Sequence, residues 1–96
     1  MNNELKDLRK EIDEIDDELA ALMEKRMAVV RKIAEKKKNA ELPVNDKQRE
    51  REIVDRLRSK SGELFFPYVS EFYRTVFDIS KRSEREYLGR KEEEKL

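Results

Sequence analysis

Apolar residues recur at alternating spacings of three and four along the first forty residues of the chain. They are Leu5, Leu8, Ile12, Ile15, Leu19, Leu22, Val29 and Ile33. This spacing is typical of a coiled-coil seam and predicts one helix over residues 4–39. At about 1.5 Å per residue the helix is about 50 Å long, too long for a compact domain of 96 residues, so the pattern favours pairing with a second chain.

A connector at residues 41–45 separates this helix from the next. Pro43 biases the residue before it away from helical geometry. Asn45 or Asp46 can cap a second, short helix that runs to about Ser59.

A third helix of medium length follows the break at residues 61–62, and Pro67 suits its first turn. Its stripe consists of Val69, Phe72, Tyr73, Val76, Phe77, Ser80, Glu84 and Tyr87. Beyond Gly89 the polar residues 91–96 are expected to fray. The prediction is an all-α domain at residues 1–90, with helices in the order long, short, medium, and a C-terminal tail.

Composition excludes several classes of function. Acidic and basic residues number 23 each and interleave, which argues against nucleic-acid or membrane binding. The chain has no His or Cys, so thiolate and imidazole nucleophiles and the usual zinc ligand sets are excluded, and we expect no metal. No apolar run approaches the about 20 residues of a membrane span, and we expect a cytoplasmic protein.

Some polar residues of the first helix lie on its apolar side. Arg26 stands within the seam itself, and Lys37 falls on the same stripe, which also carries Val30 and Ile33. The two cations are about 16 Å apart along the axis, so their side chains can reach a small anion between them. The alternative is that both extend to solvent or pair with nearby carboxylates.

The other helices show similar exceptions. Arg49 and Glu50 precede the apolar residues of the second helix by one turn, and Ser80 and Glu84 continue the stripe of the third. Taken singly, each has a structural explanation: a surface charge ladder, a solvated carboxylate, or a hydroxyl bonded to a carbonyl one turn earlier.

Arg9 flanks the seam and lies about 25 Å from Arg26 along one helix. The two guanidinium groups can therefore hold the same small molecule only if Arg9 comes from a partner chain. Together the cations and the hydroxyl suit a small dicarboxylate, because guanidinium groups bind carboxylates bidentately. A catalyst built from these groups works by positioning and electrostatics.

In combination, several segments resemble the all-helical chorismate mutases of bacteria, which occur alone or fused to prephenate dehydratase. They are Leu8–Asp16, Arg26, Lys37, Pro43–Glu50 and Asp78–Lys81. The resemblance covers residues 5–88. It implies an intertwined homodimer that rearranges chorismate to prephenate by a pericyclic [3,3] shift, without a cofactor, in Phe and Tyr biosynthesis.

The resemblance also implies roles for individual residues. Arg9 of the partner and Arg26, with Ser80, would hold the two carboxylates of the substrate. Lys37 would contact a carboxylate and the ether oxygen whose bond breaks, and Glu84 would face the same oxygen.

The resemblance assigns the remaining residues to the ring of the substrate and its hydroxyl group. Asp46, through its backbone, and Glu50 would bind the ring hydroxyl, and Arg49 would order Glu50. Ile33 would form part of the apolar wall.

One position departs from the bacterial pattern, which usually has Gln where this chain has Glu84. An ionised carboxylate has no proton to donate, so Glu84 is expected to act as the neutral acid, as in fungal relatives. Three alternatives stay open: an isochorismate-pyruvate lyase of the same fold, a weakened or non-catalytic family member, and a helical dimerisation module.

Overall fold

The computed structural model describes residues 2–95, with side chains for residues 3–94. It contains three helices, α1 (Asn2–Asn39), α2 (Lys47–Lys60) and α3 (Phe66–Lys95), and no strand within this range. The predicted all-α class and the order of helix lengths are confirmed. α3 packs against both α1 and α2.

The end of α1 is a Schellman turn that brings the connector back toward the helix. Glu41 adopts a left-handed conformation with φ 57°. The N–H of Leu42 donates to the carbonyl of Lys37 at 2.7 Å, and the N–H of Glu41 donates to that of Lys38 at 3.1 Å. This turn reverses the chain, so that the carbonyl of Val44 accepts a hydrogen bond from the Lys37 ammonium at 2.8 Å.

Asp46, rather than Asn45, caps α2. Its carboxylate accepts a hydrogen bond from the backbone N–H of Arg49 at 3.0 Å. The helix ends at Lys60, where the N–H of Ser61 still bonds to the carbonyl of Leu57. The cap starts α2 beside α3, where the Glu50 side chain faces Lys81.

α3 differs from expectation at its C-terminal end. Instead of fraying after Gly89, the chain stays helical to Lys95. Two ion pairs join this last part to α1, Lys91 with Glu35 at 4.0 Å and Lys38 with Glu92 at 3.8 Å. The polar residues beyond Gly89 are therefore in contact with α1 through these two ion pairs.

A Gly89→Ala substitution is expected to stabilise the fold by about 0.5–1 kcal/mol, because glycine disfavours a helix interior. A Cβ atom at this position would meet no atom within 4 Å. Urea unfolding at fixed protein concentration measures the change in the free energy of unfolding. Gly62→Ala, in the turn between α2 and α3, is the control and should gain less; equal gains, or a loss at position 89, would contradict the helical continuation.

The core of a single chain is thin. Among the described side chains, the buried apolar ones are Val30, Ala34, Val76 and Phe77. The accessible surface is 8403 Å², against about 5,800 Å² expected for a compact monomer of this mass. The radius of gyration is 17.5 Å, against about 12.5 Å for a compact domain of this length.

Much of the excess surface is the seam of α1. Leu5, Leu8, Ile12, Ile15, Leu19 and Leu22 are 47–59% exposed. A continuous apolar face of this size is typical of an interaction surface.

Candidate active site

A cavity of about 380 Å³ opens between the three helices. Seven of the predicted site residues line it: Arg26, Ile33, Lys37, Asp46, Arg49, Glu50 and Glu84. The helical period brings the α1 residues to one wall, the Asp46 cap brings the first turn of α2 to a second, and the stripe of α3 supplies the third. The structure thus joins residues that are up to 58 positions apart in the sequence.

Arg26 is held by a hydroxyl from α3. Its Nη1 donates to Oγ of Ser80 at 2.6 Å, and that hydroxyl in turn donates to the carbonyl of Val76 at 2.7 Å. Ser80 therefore does two things: it bonds back to its own helix, as its position suggested, and it orients the guanidinium. Ser80 is 7% exposed and, unlike Arg26, is not among the residues that line the cavity, although the sequence predicted it as a substrate-binding residue.

Lys37 and Glu84 form an ion pair at the inner end of the cavity. The ammonium lies 3.2 Å from Oε1 of Glu84, and only 5% of the Glu84 side chain is exposed. Oε1 makes no hydrogen bond of good geometry; the contact with Lys37 is close enough for an ion pair but is not aligned as a hydrogen bond. An ammonium has three protons, and with Val44 and Glu84 as neighbours Lys37 keeps one for a ligand.

The first turn of α2 differs from expectation in its pairing. Arg49 contacts Glu52 at 3.4 Å, and both side chains are more than half exposed. Glu50 instead contacts Lys81 of α3 at 3.1 Å. In this structure Lys81, not Arg49, is the cation that orders Glu50.

Arg9 does not reach the cavity of its own chain. It lies on the N-terminal part of α1, on a shallow surface beside Leu5 and Asp13. Within one chain Arg9 and Arg26 are therefore separated along α1, as the length of the helix predicts.

Several lining residues were not predicted as site residues, namely Arg56, Lys81 and Tyr73. Arg56 follows Arg49 by two helical turns on one face of α2, a spacing that sequence alone shows. No helical spacing marks Lys81 as a site residue, because only the packing of α2 on α3 brings it to the cavity.

The charges of the lining favour a doubly charged anion. The lining contains five cationic and three acidic side chains, which leaves two excess positive charges. The cations are Arg26, Lys37, Arg49, Arg56 and Lys81, and the acids are Asp46, Glu50 and Glu84. The apolar side chains between them suit the hydrocarbon part of a small ligand. Within residues 3–94 no three carboxylates gather as a metal site would require, and none of the helices described is apolar enough over its length to cross a bilayer.

Fold and site together define an all-helical protein with a cavity whose lining carries an excess of positive charge. Comparison with known families identifies it further: the family model described as chorismate mutase type II matches residues 8–85, and the chain belongs to this family. The resemblance seen in the sequence is confirmed.

Individual proteins that resemble this chain carry names consistent with the same family. The chain is 36% identical to the bifunctional chorismate mutase/prephenate dehydratase of Aquifex aeolicus, over 92% of this chain and 27% of that protein. It is 30% identical to the chorismate mutase of Methanocaldococcus jannaschii, over 92% and 91% of the two chains. The chain thus spans about a quarter of the bifunctional relative and most of the shorter one. No solved structure shows a significant match.

Proposed function

We propose that this chain is a chorismate mutase, which rearranges chorismate to prephenate by a pericyclic [3,3] shift. The observation that carries the proposal is the cavity itself, where a family member presents two excess positive charges to a substrate with two carboxylates. The reaction requires neither a nucleophile nor a proton transfer, and the chain has no His or Cys to supply them. No cofactor is required.

Arg26 binds one substrate carboxylate with the guanidinium protons that Ser80 leaves available. A guanidinium fork fixes a carboxylate in direction as well as distance. Its preorganisation by the Ser80 hydroxyl, at 2.6 Å, lowers the cost of holding the substrate in the compact chair that the rearrangement needs.

Lys37 and Glu84 act on the ether oxygen. In the transition state the breaking C–O bond places negative charge on this oxygen, and a fixed donor stabilises it by about 2–4 kcal/mol. Lys37 supplies its remaining proton, and Glu84 acts as a second donor when its carboxyl group is protonated. Both groups are already adjacent, at 3.2 Å.

The ring of the substrate lies against the apolar wall formed by Ile33 and its neighbours. The backbone at Asp46 and the carboxylate of Glu50 bind the ring hydroxyl. These two groups lie at the start of α2.

The chain acts as an intertwined homodimer in which the α1 seams pair. The single chain exposes about 2,600 Å² more surface than a compact monomer, so two chains carry about 5,200 Å² of excess, at the upper end of the range that obligate dimers bury. Pairing covers the apolar seam and gives Arg9 a route to the cavity of the partner. Sedimentation velocity is expected to give twice the chain mass of 11.6 kDa.

The direct test is incubation with chorismate, following the loss of its absorbance and identifying the product. Prephenate supports the proposal. Formation of salicylate and pyruvate from isochorismate, without prephenate from chorismate, would instead indicate the lyase, and no turnover of either substrate would indicate a non-catalytic helical dimer.

A further inference from the structure

Lys81 joins three parts of the chain at one wall of the cavity. From α3, its ammonium contacts Glu50 of α2 at 3.1 Å and the side-chain oxygen of Asn45, in the connector, at 3.5 Å. A third contact, with Asp78 on its own helix, is longer, at 3.9 Å. The Lys81 and Glu50 side chains are 21% and 26% exposed, so solvent screens this pair less than a surface pair.

Lys81 is the only ion-pair partner of Glu50 among the described residues. The neighbouring Arg49 is directed to Glu52. A glutamate side chain has three rotatable bonds, and without a partner it samples several orientations. The direction in which Glu50 presents its oxygens to the cavity therefore depends on Lys81.

The charge of Lys81 also matters. Glu50 places a negative charge on the lining of a cavity that receives a substrate with two carboxylates. Like charges at close range repel by an amount that grows as water is excluded. Lys81 offsets this repulsion at the position where a carboxylate is needed as an acceptor.

We propose that Lys81 is a positioning residue, which fixes Glu50 as the acceptor for the ring hydroxyl and thereby sets the preference for a hydroxylated substrate. The inference rests on the proposed function and deepens it. Lys81 acts through Glu50, not by touching the substrate.

Lys81→Met tests the role while keeping the length of the side chain. The KM for chorismate is expected to rise about tenfold, equivalent to about 1.4 kcal/mol, with kcat changed less than about threefold, because hydroxyl binding is made in the ground state and the transition state alike. Lys81→Arg keeps the charge and should restore KM to within about threefold of the original value. Arg82→Met is the matched control, since the Arg82 side chain is 71% exposed and its only ion pair among the described residues is with Glu86.

A double-mutant cycle separates this role from direct substrate contact. In a Glu50→Gln background, Lys81→Met should change KM by less than about twofold, because the group it orients is already altered. A chorismate analogue without the ring hydroxyl should lose clearly less affinity than chorismate on Lys81→Met, because it depends on the charge of Lys81 but not on the orientation of Glu50.

Three results would overturn the inference: a tenfold rise in KM in the Glu50→Gln background, the same rise with the analogue, or no change in either background. With normal turnover by the original protein, each leaves the proposed function in place. Absence of turnover by the original protein would overturn the proposed function, and this inference with it.

Discussion

An Arg26→Ala variant is expected to lose about 10³-fold in kcat/KM while keeping its helical fold. Loss of one charged, preorganised donor from a site that works by electrostatics typically costs this much. Arg26 is oriented by Ser80 at 2.6 Å and lines the cavity, so truncation removes a carboxylate contact that no neighbour on α1 replaces. Steady-state kinetics with chorismate measure kcat/KM, and circular dichroism measures the helix content.

Arg82→Ala is the matched control for this prediction. Arg82 lies on α3, two residues from Ser80, but its side chain is 71% exposed and pairs only with Glu86 within the described region. Its loss should change kcat/KM less than about twofold. If Arg26→Ala were instead as active as the Arg82 control, or more stable without loss of activity, Arg26 would be a solvated charge and not part of a substrate clamp.

Glu84→Gln is expected to raise activity at neutral pH by about 10²-fold, the effect of adding one fixed donor at the ether oxygen. The amide always has protons to donate, whereas the carboxyl group has one only when neutral. The Gln variant should therefore turn chorismate over faster than the original protein at neutral pH, and initial rates of both proteins under that condition measure the effect.

Glu86→Gln is the control, because Glu86 lies on the same helix, 61% exposed, and faces Arg82. Its rate at neutral pH should match that of the original protein. A Glu84→Gln variant that is no faster than the original protein at neutral pH would contradict the role of position 84 as a donor to the ether oxygen. The ion pair with Lys37 would then be a structural contact.

Much of the site follows from helical periodicity. Arg26, Ile33 and Lys37 recur near multiples of one turn, as do Ser80 and Glu84, so each set shares a face in any structure that keeps the helices. The predicted bounds of the helices are close to those observed, because Pro43 and the Asp46 cap mark the break between α1 and α2. The continuation of α3 past Gly89 has no such local signal, and in the structure Lys91 and Glu92 of this part form ion pairs with α1.

Pairing within the site was harder to predict. The family resemblance implies that Arg49 orders Glu50, but successive residues of a helix point about 100° apart, and Arg49 contacts Glu52 instead. Lys81 meets Glu50 only because α2 packs on α3 at one particular angle and register. Contacts of this kind are set by tertiary packing, which no local spacing encodes.

The central claim is that each active site takes Arg26 from one chain and Arg9 from the other. Activity of a purified heterodimer between an Arg9→Ala chain and an Arg26→Ala chain, separated by two different tags, tests it most directly. Twofold symmetry gives this heterodimer one site with both arginines and one with neither. We predict nearly inactive parent homodimers and a heterodimer with about half the activity of the original dimer. A heterodimer no more active than its parents would contradict the claim.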